Sequence, residues 1–138
     1  MSGRPLPIPD EQSQPFWTAS AKHVLTLPRC SNCQKFSFPP DIVCPQCHTL
    51  EPAFEFQPVA SGGKVRTWTV IRQSFLSGFE TPFVLVDVEL DAQAGLRMIG
   101  QLLDGPSAPL KVGDRVEVAF EDLAPGTSVP GFKLVKSS

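Results

Sequence analysis

Four cysteines set the strongest constraint on how this chain folds. They stand as Cys30-Ser-Asn-Cys33 and Cys44-Pro-Gln-Cys47, ten residues separate the pairs, and the 138-residue sequence holds no others. A C-x2-C pair puts two thiols on one tight turn, and two such turns can surround one ion tetrahedrally. Four thiolate ligands leave zinc no open position for water or substrate, so the cluster points to a folded module more than to a reaction. A rubredoxin-like iron centre uses the same donors. A redox dithiol is the third reading. It is weakened because neither pair opens a helix after a parallel strand, where a thiolate would be stabilised. Disulfides would suit an extracellular chain, but the doubled C-x2-C spacing favours metal.

The remainder of the chain predicts many short elements. Its 15 Pro and 10 Gly leave little room for long helices, while 41% hydrophobic content suffices for a compact core. The net charge of -2 speaks against a dedicated nucleic-acid binder. Charge is uneven: residues 22–72 carry six basic against three acidic side chains, and residues 73–138 five against nine. The cysteine region and the strand after it are therefore the better place for an anionic ligand. No segment reads as a signal peptide or a membrane span, so a reducing cytoplasm, where thiols stay available to metal, is the expected compartment.

Along the chain, a loose arm precedes a short helix expected over Ser13 to His23. Ser13 is its cap, Pro15 sits in its first turn, and Phe16, Ala19 and His23 lie near one face with Trp17 beside them. Leu25 to Pro28 reads as an extended lead into the first cysteine pair. Phe36 to Pro40 reads as a hairpin or rigid turn, with Pro39 and Pro40 stiffening the path to the second pair. This ribbon has too little apolar mass to fold without metal.

From residue 54 the period becomes two. Ser61-Gly62-Gly63 reads as a turn. Lys64 to Gln73 reads as a strand, with Val65, Thr67, Thr69 and Ile71 on one face and Arg66, Trp68, Val70 and Arg72 on the other. Pro82 to Leu90 is a strand burying Val84, Val86, Val88 and Leu90. Leu96 to Leu103 is a third strand, with a bulge or bend at Gly100. Val116, Val118 and Phe120 line a fourth, Pro125 to Gly131 forms a loop, and Phe132 to Val135 a last short strand. Five strands, the first long enough to bend across two faces, suit a small closed barrel of the oligonucleotide/oligosaccharide-binding (OB) type. An open antiparallel sheet or sandwich is the runner-up. The predicted plan is mostly β: arm and helix over 1–26, a zinc ribbon over 27–52, and a five-stranded OB-fold barrel over 53–138.

No catalytic set stands out. Asp87 and Glu89 read as the solvent coat of one strand face, His23 as a helix-end surface residue, and His48 as facing either a thiolate or water. Gly62-Gly63 lacks the pattern of a phosphate loop. Trp68 between Arg66 and Arg72 is raw material for stacking a single-stranded nucleic acid. That is the alternative function, though the later strands are acidic.

The ordered run Phe16-Trp17, Leu27-Pro28-Arg29-Cys30-x-x-Cys33, Phe38-Pro39-Pro40, Cys44-Pro45-x-Cys47, Ser61-Gly62-Gly63-Lys64-Val65 and Thr67-Trp68-Thr69-Val70 resembles the DUF35 family. The segments Pro82 to Leu90 and Leu110 to Val118 match as well, so the resemblance spans about residues 13 to 135. It implies a rubredoxin-like zinc ribbon fused to an acyl-CoA-associated OB fold, with structural Zn2+ on Cys30, Cys33, Cys44 and Cys47. It also implies a cytoplasmic, hetero-oligomeric accessory subunit of a thiolase-like enzyme, a thiolase or retro-aldolase acting on CoA thioesters in steroid or aromatic side-chain degradation. The partner would supply the chemistry, while this chain supports assembly and substrate passage. Acyl-CoA would be met through the partner or at the interface, and the aromatic pair Phe16-Trp17 is expected to anchor that interface or the protein's own core. Two positions depart from the family pattern. Gln34 stands where a glycine often follows the second cysteine, which predicts an altered knuckle. Asp41 stands where an arginine often follows the double proline, which puts direct CoA contact in doubt.

Overall fold

The computed structural model describes residues 4–39 and 41–135. Residues 1–3 of the arm, and Pro40 of the expected double-proline exit, lie outside the described residues. The predicted mostly-β plan forms, with one short helix and an OB-like sheet. Helix α1 spans Gln14–Ser20; the strands are β1 Thr26–Arg29, β2 Glu55–Pro58, β3 Gly62–Ile71, β4 Phe83–Leu90, β5 Arg97–Gln101, β6 Arg115–Ala124 and β7 Thr127–Leu134. β1 and β2 form an antiparallel pair, and the rest form one antiparallel sheet in the order β5-β4-β3-β6-β7.

The sheet curls toward a barrel but does not close. Its edges meet through one parallel bridge, Leu102 to Phe132, where the Leu103 amide donates to the Phe132 carbonyl at 2.8 Å. β5 ends at Gln101, and the Asp104-Gly105-Pro106 segment turns away before a ladder can extend.

Alternation in β4 is as predicted. Val84, Val86, Val88 and Leu90 are buried and join Val65, Leu96, Met98, Leu102, Val116 and Phe132 in one core, which also takes Phe16, Leu25 and Leu27 from the N-terminal segment. β3 departs from strict alternation. A bulge between Val65 and Thr67 inserts Arg66 as an extra residue, after which Trp68 and Val70 oppose Val86 and Val84. Trp68 therefore shares the face of Val65 and packs on the core, while Arg66 and Arg72 are exposed. The aromatic-basic stripe expected from a period of two does not form.

Glycine marks the turns at Gly78, Gly95, Gly105, Gly113 and Gly126, each at positive φ, but Gly62, Gly63 and Gly100 lie in strands. Gly62 and Gly63 open β3 instead of making a turn, and Gly63 pairs with both β4 and β6. A Cβ there would stand 2.5 Å from Val88 Cγ1 and 2.7 Å from the Glu89 carbonyl, so a bare backbone is what lets three strands meet. Gly100 makes no bulge: its register is regular, and it leaves room for the Phe132 ring, whose Cε2 would lie 3.0 Å from a Cβ. Among the described strands, the register shifts sit at Arg66 and at Leu123 instead. The loop expected over 125–131 shrinks to a turn at Pro125-Gly126, because Gly126 takes φ +77° and lets β7 begin at Thr127.

Helix α1 is shorter than the expected Ser13 to His23. Ser13 is the N-cap position but makes no side-chain cap; its Oγ accepts the Asp10 amide at 3.1 Å while Asp10 Oδ1 accepts the Ser13 amide at 2.8 Å. His23 takes φ +60° and ends the helical run. Its ring stacks on Phe120, and Nε2 lies 2.7 Å from Asp122 Oδ1, so His23 ties the chain after α1 to β6. Phe16 is 4% exposed and packs on Phe38 at 5.6 Å, with Trp17 edge-on at 4.9 Å. Of the two roles expected for this aromatic pair, Phe16 serves the protein's own core.

Candidate metal centre

Two knuckles of matching build carry the thiols. In the first, the Gln34 amide donates to the Cys30 carbonyl at 2.9 Å and the Cys30 amide to the Lys35 carbonyl at 2.9 Å. In the second, the His48 amide donates to the Cys44 carbonyl at 2.9 Å and the Cys44 amide to the Thr49 carbonyl at 3.3 Å. Both knuckles turn through the left-handed region just after their second cysteine, with φ +65° at Gln34 and +64° at His48. The altered knuckle expected at Gln34 is not found. The glutamine takes the glycine-type conformation, its side-chain amide donates to the Ser31 carbonyl at 2.8 Å, and Arg29 Nε donates to the Gln34 carbonyl at 2.8 Å. His48 is exposed and faces water, one of the two orientations left open by the sequence.

The four sulfurs converge. All lie within 4.8 Å of one another, with Cys30 Sγ to Cys47 Sγ 3.8 Å and Cys33 Sγ to Cys44 Sγ 3.7 Å. These are too long for disulfides. They match the edge of about 3.8 Å of a tetrahedron with metal–sulfur bonds of about 2.3 Å. Cys30 and Cys44 are buried, and Cys33 and Cys47 are partly exposed. The donors thus fit one tetrahedral thiophilic ion, with two of its four cysteines buried.

Hydrogen-bond donors surround the sulfurs. The Asn32 amide points at Cys30 Sγ and the Gln46 amide at Cys44 Sγ, each at 3.4 Å, and Asn32 Nδ2 reaches Cys47 Sγ at 3.4 Å. The Asn32 side chain and then the Thr49 amide draw the Cys47 thiol down to about 6. At Cys33 the Lys35 amide also pulls downward, but desolvation and the neighbouring thiols outweigh it and push the thiol up to about 11. Binding of a metal ion requires the coordinating sulfurs as thiolates, so it releases protons.

Besides the β1–β2 ladder, contacts of Ser31, Phe36 and Phe38 fasten the ribbon to the rest of the chain. Ser31 donates its amide to the Pro52 carbonyl at 2.8 Å and its hydroxyl to the Ala53 carbonyl. Gln93, in the β4–β5 turn, grips the Phe36 backbone from both sides: its Oε1 accepts the Phe36 amide at 2.8 Å and its Nε2 donates to the Phe36 carbonyl at 2.9 Å. Phe38 packs on Phe16. Sequence reasoning did not single out Gln93, because a glutamine in a polar turn carries no pattern that marks a partner 57 residues away.

The remaining titratable residues noted from sequence do not converge on the cluster. Asp87 faces Arg97 at 3.8 Å, and Glu89 Oε2 accepts the Gly95 amide at 3.2 Å. Asp41 accepts the amide of Ile42 at 2.7 Å. No helix among the described residues is long and apolar enough to cross a membrane.

Comparison with known proteins covers both halves of the chain. The family described as the ChsH2 rubredoxin-like zinc ribbon domain matches residues 17–52, and that described as the ChsH2 C-terminal OB-fold domain matches residues 56–121. A DUF35 domain-containing scaffold protein of Methanocaldococcus jannaschii is 32% identical over 111 residues, covering 76% of each chain. Another of that name, from Methanothermobacter thermautotrophicus, is 29% identical over 118 residues, covering 81% of this chain and 86% of its own. Among solved structures, the chain is similar to one in the Ltp2-ChsH2(DUF35) aldolase, with TM-score 0.79, 23% identity, and 93% and 98% of the two chains covered. It is also similar to a DUF35-family protein of unknown function from Sulfolobus solfataricus, with TM-score 0.60, 14% identity, and 91% and 86% covered.

Proposed function

Because the chain belongs to the DUF35 family, with a ChsH2-type zinc ribbon and OB-fold domain, we propose that it is an accessory subunit that holds a thiolase-like enzyme in its working assembly. The enzyme would make or break a carbon–carbon bond on a CoA thioester, and its own residues would supply the nucleophile and base. One observation carries this reading: the four-cysteine cluster would spend every ligand on protein sulfur, tying the two knuckles of the ribbon together and leaving no position for substrate. That is the construction of a shaped surface. The relatives named as scaffold proteins, and the neighbour solved as part of an aldolase, support it.

Zinc is the ion that four convergent thiols and a zinc-ribbon family favour, held by Cys30, Cys33, Cys44 and Cys47. A reducing cytoplasm keeps those thiols free to bind it. With Phe16 in the core, the contact surface falls to exposed apolar side chains. Ile8 on the arm is 93% exposed, and on the β3–β4 loop Phe75 is 92% and Leu76 58% exposed.

The test is affinity capture of the tagged full chain from its native cells, with the captured proteins identified by mass spectrometry. A thiolase-like enzyme is expected in stoichiometric yield, inactive or insoluble when expressed alone and active on acyl-CoA when coexpressed. Turnover of an acyl-CoA by the purified chain alone would reverse the assignment.

A further inference from the structure

The two knuckles repeat each other closely. Asn32 and Gln46 give backbone amides to the first sulfur of each pair at 3.4 Å, and the Lys35 and Thr49 amides face the second. One side chain breaks the repeat: Asn32 Nδ2 crosses from the first knuckle to donate to Cys47 Sγ at 3.4 Å. Gln46, at the matching place in the second knuckle, reaches sulfur through its backbone, at Cys44. Burial divides the sulfurs the other way, since Cys30 and Cys44 are buried while Cys33 and Cys47 are partly exposed. Of the two partly exposed cysteines, Cys47 is strapped by a side-chain amide and Cys33 is not.

We propose that Asn32 is a positioning residue for the metal, strapping Cys47 to the first knuckle and making Cys33 the corner at which the cluster opens. A hydrogen-bond donor draws charge from a metal-bound sulfur, which lowers its reactivity toward electrophiles. Cys47 must also break the Asn32 contact before it swings away from the ion. Cys30 and Cys44 are shielded by burial. An incoming electrophile therefore meets Cys33 first, and the metal departs after that sulfur is lost. The inference concerns this chain's own sulfurs and holds whether or not the scaffold reading does.

The experiment takes the full-length protein loaded with one equivalent of zinc and adds substoichiometric N-ethylmaleimide. The attacked sulfur adds to the maleimide double bond, forming one C–S bond, and the resulting carbanion takes a proton from water. Adducts are mapped by peptide mass spectrometry over time, and freed zinc is read with a chromogenic indicator. The Cys33 adduct is expected to form about tenfold faster than the Cys47 adduct, with zinc release following it. Asn32→Ala should bring the Cys47 rate up to that of Cys33 and speed zinc loss to a chelator by about 10- to 100-fold. Equal or faster labelling of Cys47 in the wild-type protein overturns the proposal, and needs no variant to fold. An unchanged labelling order in zinc-loaded Asn32→Ala overturns it as well.

Discussion

Single residues carry strain and charge that can be read out one at a time. His48 holds φ +64° with an exposed side chain, so its left-handed backbone is unrelieved. A non-glycine residue there costs about 1–2 kcal/mol, against about 0.5–1 kcal/mol of extra chain entropy that glycine loses on folding. His48→Gly is expected to raise stability by about 0.5–1 kcal/mol in denaturant melts of the zinc-loaded protein. Gln34→Gly should gain less, because it also removes the Gln34 side-chain bond to Ser31. The acidic side chains set a pH limit. The Arg115 guanidinium holds Asp91 below its ordinary value, and the Ser128 hydroxyl, then His23, does the same for Asp122. A carboxylate lowered on folding stabilises above its unfolded pKa of about 3.9 and loses that contribution as pH falls through the folded value. Stability should therefore be flat in these groups near neutrality and decline below about pH 4. Protons also compete with metal for the thiolates in acid. The contribution of Asp91 is thus read as the difference between wild type and Asp91→Asn, whose acid limb should be shallower.

At the scale of elements, the metal and the helix are coupled. The knuckles position Phe38, and Phe38 packs on Phe16 of α1 at 5.6 Å, beside Trp17. Removing the ion frees a ribbon with few apolar residues of its own. Chelation in a Trp68→Phe background should red-shift Trp17 emission while most strand signal in far-ultraviolet circular dichroism persists. Cys44→Ser should mimic chelation and lower solubility; an unchanged Trp17 spectrum after verified metal loss would refute the coupling. The elements also show where the sequence was legible. Cys30, Cys33, Cys44 and Cys47 announced their cluster because ligand spacing is local. β4 announced itself because one buried face imposes strict alternation on Val84, Val86 and Val88. What was missed depends on contacts distant in sequence. Gly63 and Gly100 are bare because Val88 and Phe132 lie against them, and nothing beside them in the chain says so. The bulge at Arg66 was equally hidden, since one extra residue in a strand changes no residue type, and it moved Trp68 onto the core face.

At the scale of the whole molecule, the core unites segments that the sequence divided into three. Phe16, Leu25 and Leu27 are buried with barrel residues, and Gln93 and His23 tie ribbon and helix to the sheet. A surface preorganised by a shared core lowers the ordering cost of docking. The β3–β4 loop is the feature most at odds with a freestanding protein. Phe75 and Leu76 are 92% and 58% exposed, and near them Phe79 stacks on Phe83 at 5.5 Å with the Arg4 guanidinium 5.2 Å from its ring. Arg4 also donates to Gln101 and Glu121, each at 3.1 Å, so the arm is pinned beside this loop. Neither Phe75 nor Leu76 belongs to the core. Replacing both with serine should shift folding stability by no more than about 0.5 kcal/mol. If the loop anchors the proposed enzyme, the same change should weaken its capture by at least tenfold, because a buried aromatic anchor contributes about 2 kcal/mol or more to an interface. Capture is measured by titrating the purified partner against immobilised wild-type and variant chains, with zinc content verified in each. Undiminished binding by a folded, zinc-loaded Phe75→Ser/Leu76→Ser protein would move the interface to another face, with the arm around Ile8 the next to be tested.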